Sequence, residues 1–396
     1  MSNNFIENIL LSHPEQFGPL SQNPQKFEIQ VLYTQIDRDA QNRPHFKTFA
    51  YNVDKHRYFY PASVVKLPVA LLAMEKLNLL QISGLDKYTR MEVKAARPPQ
   101  TEALSDSTAP EYKPTIAHYI KKIFVVSDND AYNRLFEFLG PRYINETLHK
   151  KGYTEARIVR RLAVRGFDEE ANRYTNPVQF KIGDQVIYEQ EEQYNSTDFP
   201  FPAIPSQKGK AYIDAKGKKV NQPFDFAGNN YLSLETMHEM LRAVIFPLDV
   251  SAQKRFNLNL NDYQFLYRCM GMWPRESRFP EYKEKKYQDG YSKYLLFGNT
   301  QEKAPDHIRI FNKVGLAYGF LIENAYVIDF EAKTEFLLSA VIHVNENETY
   351  NDDRYEYEAL GFPFFVHLGR HLAEHEKKRP RAYLPNLERF DLFYRE

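Results

Sequence analysis

Cysteine is almost missing. Cys269 is the only one in 396 residues, which excludes an intrachain disulfide and a cysteine-built metal cluster. Excess charge is missing too. The 52 Lys and Arg balance 52 Asp and Glu, so no broad surface for nucleic acid or anionic lipid is expected. No apolar run is long enough to span a bilayer. The opening Met1-Ser2-Asn3-Asn4-Phe5 lacks the basic and apolar regions of a secretory leader. Aromatics, by contrast, are plentiful, with 29 Phe and 28 Tyr beside the single Trp273. They suit filled interiors or a cleft that stacks flat ligands, and do not choose between the two.

The most apolar stretch runs from Phe59 to Met74, interrupted only by Ser63 and Lys66. Leu67, Ala70, Leu71, Met74 and Leu77 recur at helical spacing, so this reads as a core helix ending near Leu80. Ser63 falls in its first turn, near free backbone N–H groups and the positive end of the helix dipole. An ammonium among so many aliphatic groups must be paired or lose its charge. A hydroxyl one turn from such an amine is a nucleophile beside a base. The plain alternative is a helix-cap serine, with Lys66 running out to solvent. Ser-x-x-Lys alone is weak, and Ser251-Ala252-Gln253-Lys254 repeats it without an apolar helix.

Two strands, near 27–33 and 46–53, precede this helix and form a hairpin. Residues 84–115 are rich in Pro, Ser, Thr and charge and are expected to wander over the surface. Helices follow near 118–124, 129–139 and 144–149. Residues 157–180 read as an ordered loop, 181–230 as an exposed polar insertion, and 232–246 as a helix. Three strands (308–315, 320–330, 335–344) and a closing helix (362–376) finish the chain. Strands at both ends with helices between predict an α/β (α+β) fold with one antiparallel sheet flanked by helices. The sheet part would take 1–80 and 305–396, and a helical subdomain 81–304.

Two more motifs follow the first in order. Ser127-Asp128-Asn129 precedes a helix, and Lys313-Val314-Gly315 ends a strand. Ser-x-x-Lys, Ser-Asp-Asn and Lys-[Ser/Thr]-Gly in this order mark class A β-lactamases and penicillin-binding proteins. The chain resembles that serine hydrolase superfamily, over the hairpin, the central helix, the Ser-Asp-Asn turn and the C-terminal strands. Read bare, Asp128 is a helix cap and Lys313 a strand-end charge.

The resemblance implies roles. Ser63 is acylated, Lys66 is its base, and Ser127 relays a proton to the leaving nitrogen. Asn129 holds the substrate's amide, and Lys313 faces its carboxylate. The N–H groups of Ser63 and Leu316 form an oxyanion hole, and Gly315 lets the strand approach a ligand. Two departures stand out. Val314 replaces a hydroxyl that would bind the carboxylate. Asp168 with Asn172 stands where the family has a Glu and an Asn four residues later, holding the deacylating water. Glu169 and Glu170 are substitutes for Asp168.

The resemblance thus implies a monomeric β-lactamase-type hydrolase, with no cofactor, acting on a small β-lactam or a peptidoglycan peptide. A D,D-peptidase or esterase with slow deacylation is the enzymatic alternative, and a binding protein on the same fold the other. Such substrates lie outside the cytoplasmic membrane, so a periplasmic location, after removal of a leader, is expected. His367, His371 and His375, spaced by four on the last helix, match a metal-binding pattern without its supporting Glu, and an outward-facing helix face is the simpler expectation.

Overall fold

The computed structural model describes residues 5–298 and 300–394. Nine helices occur among them: α1 (Phe5–Ser12), α2 (Pro14–Gln22), α3 (Lys66–Leu80), α4 (Ile116–Val126), α5 (Asn129–Leu139), α6 (Pro141–Lys150), α7 (Leu234–Ile245), α8 (Leu260–Gly271) and α9 (Phe362–Lys378). The main sheet has five strands: β1 (Gln30–Arg38), β2 (Pro44–Tyr51), β3 (Ile308–Ala317), β4 (Phe320–Asp329) and β5 (Thr334–His343). Their order is β3-β4-β5-β1-β2, antiparallel throughout. The sheet is therefore built from both chain ends, as the sequence predicts.

Helices cover both faces, which explains why the central strands show little alternation. Val31 and Tyr33 share a core with α1, α2 and α9, including Ile6, Phe17, Phe364 and Leu368. Leu32 and Ile36 join the larger core of α3, α4, α5, α7 and α8. Buried side chains line every face of α3, including Lys66, Leu67, Val69 and Leu72. That is why this helix reads as a continuous apolar run rather than a stripe. Pro68 sits in its first turn, where a backbone N–H has no helical partner anyway.

Residues 181–230 differ from the expected polar excursion. Phe226 is fully buried, and Phe201, Ile204, Tyr212 and Phe224 pack partly buried on the main core. Ala211–Ile213 pairs in parallel with Thr349–Tyr350, fastening the segment to the rest of the chain. Charged runs on either side conceal these few anchoring rings.

The α9 histidines also differ from expectation. His371 hydrogen-bonds Gln16 at 2.7 Å and stacks on His13. His375 contacts Gln35 and the Phe5 ring. The N-terminal helices thus cover this face. Among the described residues no three His, Cys, Asp or Glu side chains converge as a metal site. None of the described helices is long and apolar enough to cross a membrane.

Candidate active site

Three turns meet at one cavity of about 420 Å³, lined by Ser63, Ser127, Asn129, Val314 and Leu316 among others. Ser63 lies in a 3-10 turn, Ala62–Val65, that runs straight into α3. Ala62, just before it, has a φ of 47°, which an L residue adopts only when its surroundings enforce it.

One enforcing contact comes from β3. A Cβ on Gly315 would lie 2.8 Å from the Pro61 carbonyl oxygen and 3.2 Å from the Ala62 Cβ. The missing side chain lets edge strand and Ser63 turn touch. The β3–β4 hairpin closes through Tyr318 and Gly319, both at positive φ (56° and 82°), as a tight two-residue turn requires.

Ser127 caps α4 in the left-handed region, φ 59°. Its N–H donates to the Ile123 carbonyl and that of Asp128 to the Lys122 carbonyl, satisfying the last turn. Asp128 then caps α5, accepting from the Ala131 N–H at 2.8 Å. The helix–corner–helix so formed aims Ser127 and Asn129 at the cavity.

Two buried lysines converge there. Lys66 Nζ donates to the Ser127 carbonyl, to Asn129 Oδ1 at 2.7 Å and to Ser127 Oγ at 3.3 Å. Lys313 Nζ donates to the same Ser127 Oγ at 2.8 Å and to the Val314 carbonyl at 3.0 Å. Burial pulls Lys66 from 10.5 down to about 7, opposed by the attraction of Asp128. Burial, then the neighbouring Lys66, pushes Lys313 well below its ordinary value. Val314 is an apolar part of the wall where a hydroxyl would hold a carboxylate.

A buried network behind β3 fixes this wall. Lys293 Nζ donates to the carbonyls of Met270 and Ile310 and to Asn312 Oδ1. Asn312 Nδ2 donates to the Ser292 carbonyl and to Glu323, which also accepts the Tyr294 N–H at 2.7 Å. Ser292 Oγ in turn donates to the Val125 carbonyl near the end of α4. The strand of Lys313, the helix leading to Ser127 and the wall residues Ser292 and Tyr294 are thus tied together. The sequence pattern gave no sign of this wall, because residues 254–304 lack periodicity. Lys286, Tyr291, Glu358 and Phe362 also line the cavity; the first two lie in that aperiodic stretch, Glu358 in the short π-helical turn before α9, and Phe362 at the start of α9.

Asp168 lies elsewhere. It is exposed, its Oδ1 accepts the Ala171 N–H at 2.8 Å, and it does not line the Ser63 cavity. Neither Glu169 nor Glu170 lines it. Asn172 is spent on its own loop: its Oδ1 accepts the Arg161 N–H, and its Nδ2 donates to the Asp168 and Phe167 carbonyls. Arg161 closes the neck of that loop, reaching Glu137, the Tyr174 carbonyl and Asn176. A capped aspartate one methylene short of glutamate stays at the surface, so the structure does not bring Asp168 to Ser63.

Residues 19–255 match the family model described as the Beta-lactamase enzyme family. No curated protein matches the sequence. Among solved structures, a β-lactamase from Sphaerobacter thermophilus DSM 20745 superposes with a TM-score of 0.51 at 11% identity, over 92% of this chain and 96% of its own. A β lactamase from Xanthomonas campestris pv. campestris str. ATCC 33913 gives 0.50 at 12% identity, over 93% and 98%. At such identities the likeness speaks for the fold. The family match covers more than half of the chain, and its helices and sheet follow the same plan: the chain belongs to the Beta-lactamase enzyme family.

Proposed function

We propose that the protein is a serine hydrolase acylated on Ser63, which opens β-lactams and holds the acyl group for long periods. The observation that carries this reading is the pair of buried lysines meeting on the Ser127 hydroxyl, at a cavity onto which Ser63 opens.

Lys66, half neutral near pH 7, takes the Ser63 proton as Oγ attacks the carbonyl carbon. The new Oγ–C bond forms and the carbonyl oxygen takes the electron pair, stabilised by the N–H groups of Ser63 and Leu316. The C–N bond then breaks, and the proton passes from Lys66 through Ser127 to the leaving nitrogen. Lys313 and Lys66 both donate to Ser127 Oγ, which leaves its hydrogen to point at that nitrogen. Asn129 keeps Lys66 in place through its Oδ1 and offers its amide N–H₂ to the substrate.

The carboxylates that the sequence offered for deacylation are not at the cavity, although another, Glu358, lines it. Asp168, Glu169 and Glu170 are all outside the cavity, which favours the slow-turnover reading over rapid β-lactam hydrolysis. β-Lactams and the cell-wall peptides they imitate occur outside the cytoplasmic membrane, and the proposal places the protein there.

Intact-mass analysis after incubation with benzylpenicillin tests the proposal. A single adduct that maps to Ser63, disappears in Ser63→Ala and survives for hours is expected. An unlabelled protein, or labelling that persists in Ser63→Ala, would overturn the nucleophile. Adduct loss within seconds would overturn slow deacylation.

A further inference from the structure

We infer that a second cleft, lined in part by the 161–176 loop, is a binding site for an oxyanion: a phosphate or carboxylate group carried by a ligand. The cleft has a volume of about 500 Å³ and is lined by Arg157, Arg160 and Arg173.

Arg157 and Arg160 are half-buried and side by side, joined through one residue. Arg157 donates to the backbone carbonyls of Asn229 and Phe199, and Arg160 Nη1 donates to Asn229 Oδ1 at 3.0 Å. Neither has a carboxylate within ion-pair distance among the described residues, although most of the chain's other buried or half-buried arginines do. Arg173 differs, being paired with Asp198. Glu169, exposed, and Asp198 also line the cleft; Glu169 forms no ion pair with Arg157 or Arg160, though its charge is felt at Arg157.

Two guanidinium groups held together and partly out of water repel each other, and neutral carbonyl acceptors do not cancel their charge. Burial is the largest influence on Arg157 and lowers its pKa, the nearby Glu169 carboxylate and Tyr58 act the other way, and the neighbouring Arg160 lowers it as well. Each fork presents donors beyond those already used. Arg160 spends one N–H on Asn229, which leaves its Nε and Nη2 for a planar, two-pronged acceptor. Phosphate and carboxylate both have that shape. This inference does not depend on the chemistry at Ser63.

Titration calorimetry on the full chain tests it, with inorganic phosphate and succinate as probes and sodium chloride at matched ionic strength as reference. Saturable heat with phosphate or succinate, absent with chloride, is expected. Phosphate alone would point to a phosphorylated ligand, succinate alone to a carboxylate one, and both to a general oxyanion site. Arg160→Met should weaken binding by about tenfold or more, the worth of one charge-assisted pair. Arg160→Lys, which keeps the charge and loses the fork, should fall between and covers the event that Arg160→Met misfolds. No heat beyond chloride with either probe, or unchanged affinity in both variants, overturns the assignment.

Discussion

On the proposed mechanism Lys66 is the base, and burial decides how much of it is neutral. With its pKa at 10.5, a lysine would be neutral in about one molecule in 3,000 at pH 7; at about 7, it is neutral in about half. Burial therefore raises the concentration of active base more than a thousandfold, worth on the order of 4 kcal/mol. The acylation rate should climb about tenfold per pH unit below 7 and level off above it. At pH 5 only about one Lys66 in a hundred is neutral, so acylation there should run about a hundredfold below the plateau. Asp128 supplies the attraction that favours the charged form. Asp128→Asn removes that charge while keeping a good cap for α5. The midpoint should move to lower pH, leaving the plateau in place. Quenched-flow mass spectrometry of β-lactam adduct formation between pH 4.5 and 9 reads both variants. A flat profile, or a midpoint that moves up in Asp128→Asn, would refute the reasoning.

Other outcomes can be checked independently. Gly315→Ala places a Cβ 2.8 Å from the Pro61 oxygen, so β3 and the Ser63 turn must part. Stability should fall by about 1–3 kcal/mol and acylation by about a hundredfold, measured by denaturant melts and adduct formation. Phe226→Ala empties the contact between the 181–230 segment, Tyr60 and Tyr318, and should cost about 3–5 kcal/mol in the same melts. Asp168→Asn should leave the adduct lifetime unchanged, followed by intact mass after removal of free β-lactam. The folded pKa of Lys66 lies below its unfolded 10.5, so between about 7 and 10.5 the unfolded chain binds more protons. Stability should therefore rise with pH across that window, and Lys66→Met should flatten the slope of guanidinium midpoints against pH.

The sheet and the central helix were legible because their signals are local. The run from Phe59 to Met74 could only be a buried element, and three strands near the C-terminus had clean lengths and turns. Ser63, Ser127 and Lys313 announced themselves through short motifs in order. What surrounds them was not legible, for physical reasons. Lys286, Tyr291, Tyr294 and Glu358 stand on loops or on single 3-10 or π turns, too short for a period to mark the buried side. The Lys293–Asn312–Glu323 network joins an aperiodic turn to two neighbouring strands, and each member alone looks like a surface polar residue. The 181–230 segment looked like a solvated excursion because charge outnumbers its anchors, although the few rings at 201, 224 and 226 settle where it lies. The spacing of Asp168 and Asn172 matched a pattern, but spacing does not reveal that the aspartate serves as a turn cap.

The strand order carries a consequence for synthesis. β1 is flanked on one side by β2, made moments later, and on the other by β5, which leaves the ribosome some 300 residues afterwards. Until then the nascent chain must carry the oily α3 and half of a sheet with an unmet edge, a state that invites chaperone capture. The Ser63 turn receives its Gly315 neighbour only in that same final stretch. Completion of the Ser63 site is thus a late product of translation, and chains released early should be degraded without ever forming it.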